Sequence, residues 1–368
     1  MQCCLLDPFD PRWGRLLERC AHEFYHLPGY ASLEARRMGG TASALWAEDC
    51  GREWLLPVVI RPLPVIPGAG APALPWRDAV SPYGYPHPLT TAGETDVDTF
   101  LDEALAAMRE FLRSERVLTV FARCSPLMPL AHAYSNHGYV VKHGPCFWLD
   151  LTESAEELQS QLRSRYRSYL NALRREGVTA AFIPYSKGLD DFVRLYYRTM
   201  DRVGAARWYY FERSYFEELG KLLCDALRLC VVKQGDQLLA AGLFASSGGI
   251  VQYLLSGVDE RLDQPHATKL MMIFVRDWGK AAGHRILHLG GGVGGTDDAL
   301  SQFKRGFTRH FSLFCTWRHV VDAEQYEVRL RAWEQFSGMA ADPIEGYFPA
   351  YRKPIGKSAD PEPTHRAS

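Results

Sequence analysis

From residue 154 to residue 321, segments with helical and strand-like periodicity alternate in an order that few folds can accommodate. A helix is predicted over 154–177, with Ser154 as N-cap, Glu157 in the capping-box position and Gly177 as the stop. A strand, two helices, three strands, a helix, a strand, a short helix and a final strand follow. This alternation predicts an α/β fold with helices covering a mixed sheet.

The boundaries of these segments follow from periodicity and from turn residues. The three consecutive strands lie within 228–258, with turns at Gln234-Gly235-Asp236 and Ser247-Gly248-Gly249. The other predicted segments are a strand over 178–185, helices over 189–203, 213–227, 267–283 and 296–307, strands over 285–290 and 311–321, and a last helix over 322–336.

The first half of the chain also mixes strands with helices. Its predicted segments are a helix over 11–26, a strand pair within 41–63, a helix over 96–115 and strands over 117–124 and 146–151. With 368 residues, the chain is long enough for two domains. We place them at 1–152 and 153–340, and we expect the polar, proline-containing tail over 341–368 to be partly disordered.

Composition narrows the classes of function. The formal net charge is −1 and the pI is about 6.9, so any affinity for nucleic acid must come from a local basic patch. Neither a signal peptide nor an apolar run of ~18 residues is recognisable, and the expected compartment is the cytoplasm. The nine cysteines contain no Cys-x-x-Cys pair, so we expect neither a disulfide framework nor a metal site.

The glycine-rich stretch from Leu289 to Phe307 resembles a phosphate-binding loop that leads into a helix. Its predicted helix starts at Thr296 and carries Asp297 and Asp298 in the first turn, where a phosphate would meet like charge. The Gly-Lys-Ser/Thr of a P-loop and the dinucleotide-binding fingerprint are both missing. We therefore interpret the glycines mainly as a device for a tight backbone and close substrate approach, with direct phosphate contact as the alternative.

Lys304 lies near the end of the predicted helix 296–307. Leu300, Phe303 and Phe307 share its apolar face, and Lys304 flanks that face. Two interpretations remain open from spacing alone. The side chain is either a surface lysine that covers apolar neighbours with its stem, or a cation held at a substrate cleft.

Several motifs together resemble the Fem-type aminoacyltransferases of the GNAT superfamily. The stretch 164–178 resembles the opening helix of their C-terminal domain, and 78–89 resembles the aromatic-glycine loop of their first domain. The segments 213–219, 238–258 and 289–307 follow in family order and spacing, and the pair Phe303-Lys304 is the most specific part. The resemblance covers about residues 25–325.

The resemblance implies two tandem GNAT-like domains, each a mixed sheet flanked by helices. It implies transfer of an amino acid from aminoacyl-tRNA to an amine, forming an amide. The helical-hairpin arm of some family members is missing, so the acceptor need not be a lipid-linked cell-wall precursor. A small peptide or a peptidyl nucleoside, as in antibiotic biosynthesis, is expected, and aminoacyl-tRNA is a co-substrate, so no cofactor is implied.

The resemblance also assigns residues to the site. In the family, the lysine that matches Lys304 stabilises negative charge on the reacting ester carbonyl, and the counterpart of Tyr253 is an active-site tyrosine. Tyr253 could equally be a packing aromatic. The catalytic candidates are Lys304, Phe303 and Tyr253. The substrate-binding candidates are Arg202, Arg207, Tyr210, Tyr83 and Tyr85, for which an ordinary loop or turn is the alternative.

One predicted helix is loaded with positive charge. Its arginines are Arg163, Arg165, Arg167, Arg174 and Arg175, and Arg305 could extend the patch. Such a surface is either a solvated helix face or a contact for the phosphate backbone of the tRNA acceptor arm. We expect Arg163, Arg165, Arg167 and Arg305 to bind tRNA.

Two other functions compete with aminoacyl transfer from tRNA. The first is acyl-CoA-dependent N-acylation, but the stretch 256–270 does not contain the Arg/Gln-x-x-Gly-x-Gly/Ala loop with which ordinary GNAT enzymes hold the CoA pyrophosphate. The second is a non-enzymatic domain that binds RNA or a partner. No nucleophile or general base stands out, which suits direct aminolysis of an activated ester.

Overall fold

The computed structural model describes residues 1–67, 75–262, 264–292, 296, 298–342 and 346–355. The chain divides into two compact units. The first comprises residues 1–143 and the chain from 313 onwards, and the second comprises residues 144–312. Each is built of a mixed sheet with helices packed on it, which confirms the predicted fold class.

The described residues form these elements, numbered in chain order. The strands are β1 Gln2–Leu6, β2 Thr41–Asp49, β3 Arg52–Pro62, β4 Arg77–Val80, β5 Leu89–Thr90, β6 Val117–Cys124, β7 Tyr139–Asp150, β8 Val178–Ile183, β9 Leu227–Gln234, β10 Gln237–Ser247, β11 Ile250–Val258, β12 Ile286–Gly291 and β13 Phe311–Val320. The α-helices are α1 Pro11–Arg19, α2 Pro28–Met38, α3 Val97–Ser114, α4 Ala133–Asn136, α5 Ala155–Gln161, α6 Ser164–Arg175, α7 Tyr185–Arg202, α8 Arg213–Leu223, α9 Ala267–Ala281, α10 Ala299–Lys304 and α11 Ala323–Ser337.

In the first unit, the strands follow the spatial order β1-β2-β3-β4-β6-β13, and β5 adds to β3. The pairing is antiparallel except between β4 and β6, which run parallel. Strand side chains pack against the helices, and the core contains the fully buried indoles of Trp54 on β3, Trp317 on β13 and Trp13 on α1.

In the second unit, the spatial order is β7-β12-β11-β10-β9-β8. All pairs are antiparallel except β11 with β12. The predicted turns after Gln234 and Ser247 are confirmed, since β9 pairs with β10 and β10 with β11 on either side of them. One hydrophobic core joins the sheet to α6 and α9 through residues such as Leu170, Met271 and Leu287.

The single helix predicted over 154–177 is wrong in one respect, because the chain breaks it into α5 and α6. Leu162 and Arg163 have extended backbone, and the amide of Arg163 donates to the carbonyl oxygen of Gly306 (3.1 Å). This tertiary bond replaces a helical one, while Leu162 enters the core. The start of α5 is as predicted, since Ser154 and Glu157 form a capping box.

Other segments also differ from the predicted bounds. The helix expected over 11–26 ends at Arg19, because Cys20 is extended, and a separate 3₁₀ turn covers 24–26. The short β1 and α2 were not predicted. No helix in the described part of the chain is both long and apolar enough to cross a membrane.

The structural units do not coincide with the boundaries at 152 and 340. The chain leaves the first unit at residue 143 and returns to it at 313. It returns because β13 pairs with β6 in an antiparallel register that sets Cys315 opposite Cys124, and because α11 adds Trp333 to the first unit's core. The last strand and helix thus belong with the N-terminal residues.

Candidate active site

In the second unit, the parallel pair β11 and β12 gives rise to the candidate site. The two strands pair only at Ile250–Ile286, Val251–Leu287 and Gln252–His288. Beyond this register, β11 continues beside β10, whereas β12 continues to Gly291 beside β7. The carboxyl ends of β11 and β12 therefore diverge and leave an opening between the two strands. Ligands of α/β sheets bind at such openings.

The loop after β12 is compact where it is described. Gly290 adopts a φ of 73°, at a bulge in the pairing of β12 with β7. A side chain at Gly292 would collide with the carbonyl oxygen of Thr296 and with Asp298, so only glycine fits there. These contacts agree with the interpretation of the glycines as a backbone device. Residues 293–295 and 297 lie outside the described part.

The helix that follows is shorter than predicted. It begins at Ala299 instead of Thr296, and Asp298 is its N-cap, with a side chain that accepts from the amide of Ser301 (2.8 Å). The predicted apolar face is also rotated. Leu300 is 37% exposed, whereas Ser301 and Lys304 point inward.

Lys304 is a buried cation at the opening between the strands. Its side chain is only 7% exposed, and Nζ donates to the carbonyl oxygen of Gly291 (2.6 Å). Burial lowers the pKa of Lys304 to about 8, although nearby Cys146 and Asp298 oppose the shift. Nζ lies 5.8 Å from the ring centroid of Tyr253. This environment is unlike that of a solvated surface lysine.

Tyr253 is the first residue of β11 beyond the paired segment. Its ring stacks on Phe244 with centroids 5.4 Å apart, and its hydroxyl hydrogen-bonds to Ser256. Burial raises the pKa of the Tyr253 phenol, so the hydroxyl is protonated at neutral pH. The structure thus brings Tyr253 and Lys304 together, while Tyr253 also packs against the core, and their catalytic roles stay a prediction.

Sequence reasoning missed a buried polar pair behind Lys304. His288 is fully buried, and its Nδ1 donates to Oε1 of Gln252 (2.8 Å) across the last register pair of β11 and β12. Burial lowers the pKa of His288 to about 3, and the charge of Lys304 acts in the same direction. The imidazole is therefore neutral. Only the strand register could have revealed this pair, since both residues look like ordinary strand positions.

Phe303 connects α10 to the start of α6. The centroid of its ring lies 5.1 Å from that of Phe307 and 6.5 Å from that of Tyr166. Its backbone carbonyl oxygen accepts a hydrogen bond from the hydroxyl of Tyr166 (3.0 Å). A side chain at Gly306 would collide with the Tyr166 ring, so the two helices approach closely at that glycine.

The predicted basic helix is α6, and its first turn adjoins the catalytic candidates. Arg163 precedes the helix and donates its amide to Gly306, two residues after Lys304. Arg165, Arg167 and Arg305 are exposed. In the described structure, Arg163, Arg165 and Arg167 form no ion pair. The four predicted tRNA-binding arginines therefore cluster around the C-terminal end of α10, and tRNA binding itself stays a prediction.

The other substrate candidates of the second unit lie where α7 ends. Arg202 pairs with Glu260, and the hydroxyl of Tyr210 donates to Asp201 (2.8 Å). Arg207 is exposed in a 3₁₀ turn. A substrate would have to compete with these acids for Arg202 and Tyr210, and their role as substrate ligands stays a prediction.

Tyr83 and Tyr85 lie in the first unit. The ring of Tyr83 has the guanidinium groups of Arg37 and Arg123 at 5.7 and 5.9 Å from its centroid, and the ring of Tyr85 meets those of Tyr25 and Phe314 edge-on. Gly84 between them has a φ of 104° and lies so close to Tyr25 that no side chain fits. The predicted rigid aromatic turn is therefore present, and its contact with an acceptor stays a prediction.

Known proteins share this architecture. Residues 160–305 match the family described as "Acetyltransferase (GNAT) domain". FemX aligns with a TM-score of 0.65 at 14% identity, over 89% of this chain and 99% of its own. L-PGS from Bacillus licheniformis aligns with a TM-score of 0.55 at 14% identity, over 89% of this chain and 97% of its own. No curated protein sequence matches.

A third structure gives the same result. The C-terminal domain of a putative lysylphosphatidylglycerol synthetase from Agrobacterium fabrum aligns with a TM-score of 0.54 at 15% identity, over 91% of this chain and 98% of its own. At such low identity, the likeness establishes the fold. The matched region contains Tyr253, Phe303 and Lys304. The described residues therefore share the fold of FemX, and the region that matches the acetyltransferase (GNAT) domain, residues 160–305, contains the candidate active site.

Proposed function

We propose that this chain transfers an aminoacyl group from aminoacyl-tRNA to the amine of a small peptide or peptidyl-nucleoside acceptor. The observation that carries the proposal is the buried ammonium group of Lys304 beside the arginine-rich start of α6. This reaction needs a cation that stabilises negative charge on the ester carbonyl and exposed arginines that bind the RNA backbone. The likeness in fold to FemX supports the choice of donor.

In the proposed reaction, the acceptor amine attacks the ester carbonyl carbon and a C–N bond forms. Negative charge develops on the carbonyl oxygen, and Lys304 stabilises it more strongly than it stabilises the neutral ester. The intermediate then collapses, the C–O bond to the ribose breaks, and the terminal hydroxyl of the tRNA leaves. One proton leaves the amine and one reaches the departing oxygen, so the reaction needs no further co-reactant or cofactor. We place it in the cytoplasm, where aminoacyl-tRNA is made.

Transfer from an acyl-CoA thioester is the second candidate function. The description of the family matched by residues 160–305, an acetyltransferase domain, favours it. The same oxyanion chemistry at Lys304 would serve a thioester. The stretch 256–270, which does not contain the usual pyrophosphate loop, argues against it.

Donor binding separates the two functions without knowledge of the acceptor. The melting temperature of the protein is measured with acetyl-CoA, with a mixed pool of aminoacyl-tRNA and with deacylated tRNA as control. A ligand that binds the folded state raises this temperature. The proposal expects a shift with aminoacyl-tRNA that salt abolishes. A shift with acetyl-CoA alone would replace it by CoA-dependent acylation.

A further inference from the structure

A cavity in the first unit involves none of the predicted site residues. It has a volume of about 390 Å³ and is lined by α11 and by the segments that follow β3 and α11. Its apolar wall consists of Trp333 and Phe336 of α11 together with Val65, Ile66 and Ile355. Cavities of this size with aromatic and aliphatic walls are typical binding sites for small molecules.

Three of these apolar side chains are exposed to solvent. Val65 is 94% exposed, Phe336 is 49% exposed and Ile355 is 37% exposed. The side chain of Trp333 is buried and closes the cavity on the side of the core. Exposed apolar side chains that gather around one cavity mark a surface that another molecule covers.

The polar part of the cavity contains cations that share one carboxylate or have none. Arg61 and Arg352 line the cavity, and the Nε atoms of both donate to Asp78 of β4. Lys353 also lines it, and its ammonium group lies 5.8 Å from the ring centroid of Trp333. Across the residues that the structure describes, Lys353 has no carboxylate at ion-pair distance.

Arg329 of α11 adds a further positive charge behind the cavity wall. Its Nη2 donates to the carbonyl oxygen of the wall residue Pro64 (2.9 Å), whereas its buried Nε has no acceptor in the described part of the chain. Burial lowers the pKa of Arg329, Tyr351 opposes the shift, and the charge of Arg352 adds to it. The two guanidinium groups therefore repel each other beside the cavity, and a bound anion would offset that repulsion.

We propose that this cavity binds a small amphipathic anion, namely an aliphatic chain that ends in a carboxylate. The chain covers the exposed side chains of Val65, Phe336 and Ile355. The carboxylate meets the ammonium group of Lys353 and the guanidinium group of Arg352, whose planar fork suits a carboxylate. The site uses no residue of the proposed transfer reaction, so it stands or fails independently of that function.

Isothermal titration calorimetry of the full chain with octanoate tests the proposal. Acetate supplies the same carboxylate without the chain, and octyltrimethylammonium supplies the same chain with the opposite charge. We expect saturable binding of octanoate at one site and ~10-fold or weaker binding of the other two compounds. Equal affinity for octanoate and octyltrimethylammonium would overturn the proposal. Binding to vesicles of phosphatidylglycerol without saturable binding of octanoate would do the same and would make this face a membrane contact.

Two variants locate the site. Phe336→Ala removes part of the apolar wall and Lys353→Ala removes a cation, and we expect each to weaken octanoate binding ~5-fold. The matched controls are Phe9→Ala, at a position that is 95% exposed, and Lys221→Ala, at an exposed position of α8. Both controls should bind octanoate as the wild type does.

The melting temperature shows which variants are folded, and if one of the two fails to fold, the other decides. Octanoate binding that neither Phe336→Ala nor Lys353→Ala weakens, or that the controls weaken equally, places the ligand elsewhere and overturns the site.

Discussion

The ammonium group of Lys304 donates a 2.6 Å hydrogen bond to the carbonyl oxygen of Gly291, the last residue of β12. The position of the cation is thereby tied to the sheet at the point where β11 and β12 part. A charge fixed before the substrate arrives needs little reorganisation when negative charge develops on a reacting carbonyl.

Replacement of Lys304 should remove this stabilisation. For Lys304→Ala, we expect transfer to fall ~10²-fold or more while the protein remains folded. The measurement is kcat/KM with the donor identified by binding, together with the melting temperature. Lys221→Ala, at an exposed position of α8, is the control and should retain full activity. Unchanged turnover in Lys304→Ala would exclude this lysine from the mechanism.

The lowered pKa of Lys304 predicts a pH dependence of activity. Because burial brings this pKa to about 8, the cation is lost above that pH, and kcat/KM should decrease there. Lys304→Arg stays charged to much higher pH, so any activity it retains should not show this alkaline limb. An identical alkaline limb in both proteins would show that another group titrates.

The lowered pKa of Lys304 also makes the free energy of unfolding depend on pH. Between pH of about 8 and the ordinary lysine value of 10.5, Lys304 is deprotonated in the folded protein but protonated in the unfolded one. The unfolded state then binds more protons, so the free energy of unfolding attributable to Lys304 rises with pH across this window. Chemical denaturation of wild type and Lys304→Met at pH 7.5 and 10 should show a larger increase in the wild type.

Charge reversal of Arg163 and Arg167 tests the role of α6. The double variant Arg163→Glu with Arg167→Glu should weaken tRNA binding and flatten its salt dependence by about two units of slope. A control of equal charge change is Lys187→Glu with Lys221→Glu, on the exposed faces of α7 and α8. If the slope of log tRNA affinity against log salt is the same for the two double variants, the arginines of α6 do not bind tRNA and form only a solvated surface.

Gly306→Ala should disturb the contact between α6 and α10. A methyl group there would collide with the ring of Tyr166, so either the ring or α10 must move. We expect this displacement to lower the free energy of unfolding by about 1–3 kcal/mol. Activity should fall too, because Phe303 and Lys304 lie on the displaced helix. Gly14→Ala in α1 is the control, since nothing lies within 4 Å of that position. Thermal melts and turnover of both variants give the comparison.

Local sequence signals predicted much of the second unit. The turn at Gln234-Gly235-Asp236, the capping box of Ser154 with Glu157 and the alternation of helices with strands are all encoded by neighbouring residues. The turn, the capping box and the alternation depend on contacts within a few residues, which is why the sequence alone sufficed for them. The pair Phe303-Lys304 comes from a resemblance, and its catalytic role stays a prediction.

The features that were missed depend on residues far apart in the chain. The break after Gln161 arises from a bond between Arg163 and Gly306, and helical periodicity continues through it. The inward rotation of Lys304 depends on its bond to Gly291. His288 meets Gln252 only through the register of β11 and β12. No local pattern contains such pairings, so they required the folded structure.

The return of the chain to the first unit at residue 313 has a consequence for biogenesis. The second unit is one continuous stretch, 144–312, and the ribosome synthesises it before most of β13 and all of α11. The earliest residues to emerge must therefore wait for the latest, since the strand that pairs with β6 and the helix that contributes Trp333 come from the end. The inserted unit can finish folding while its host is still incomplete, which reverses the usual vectorial order.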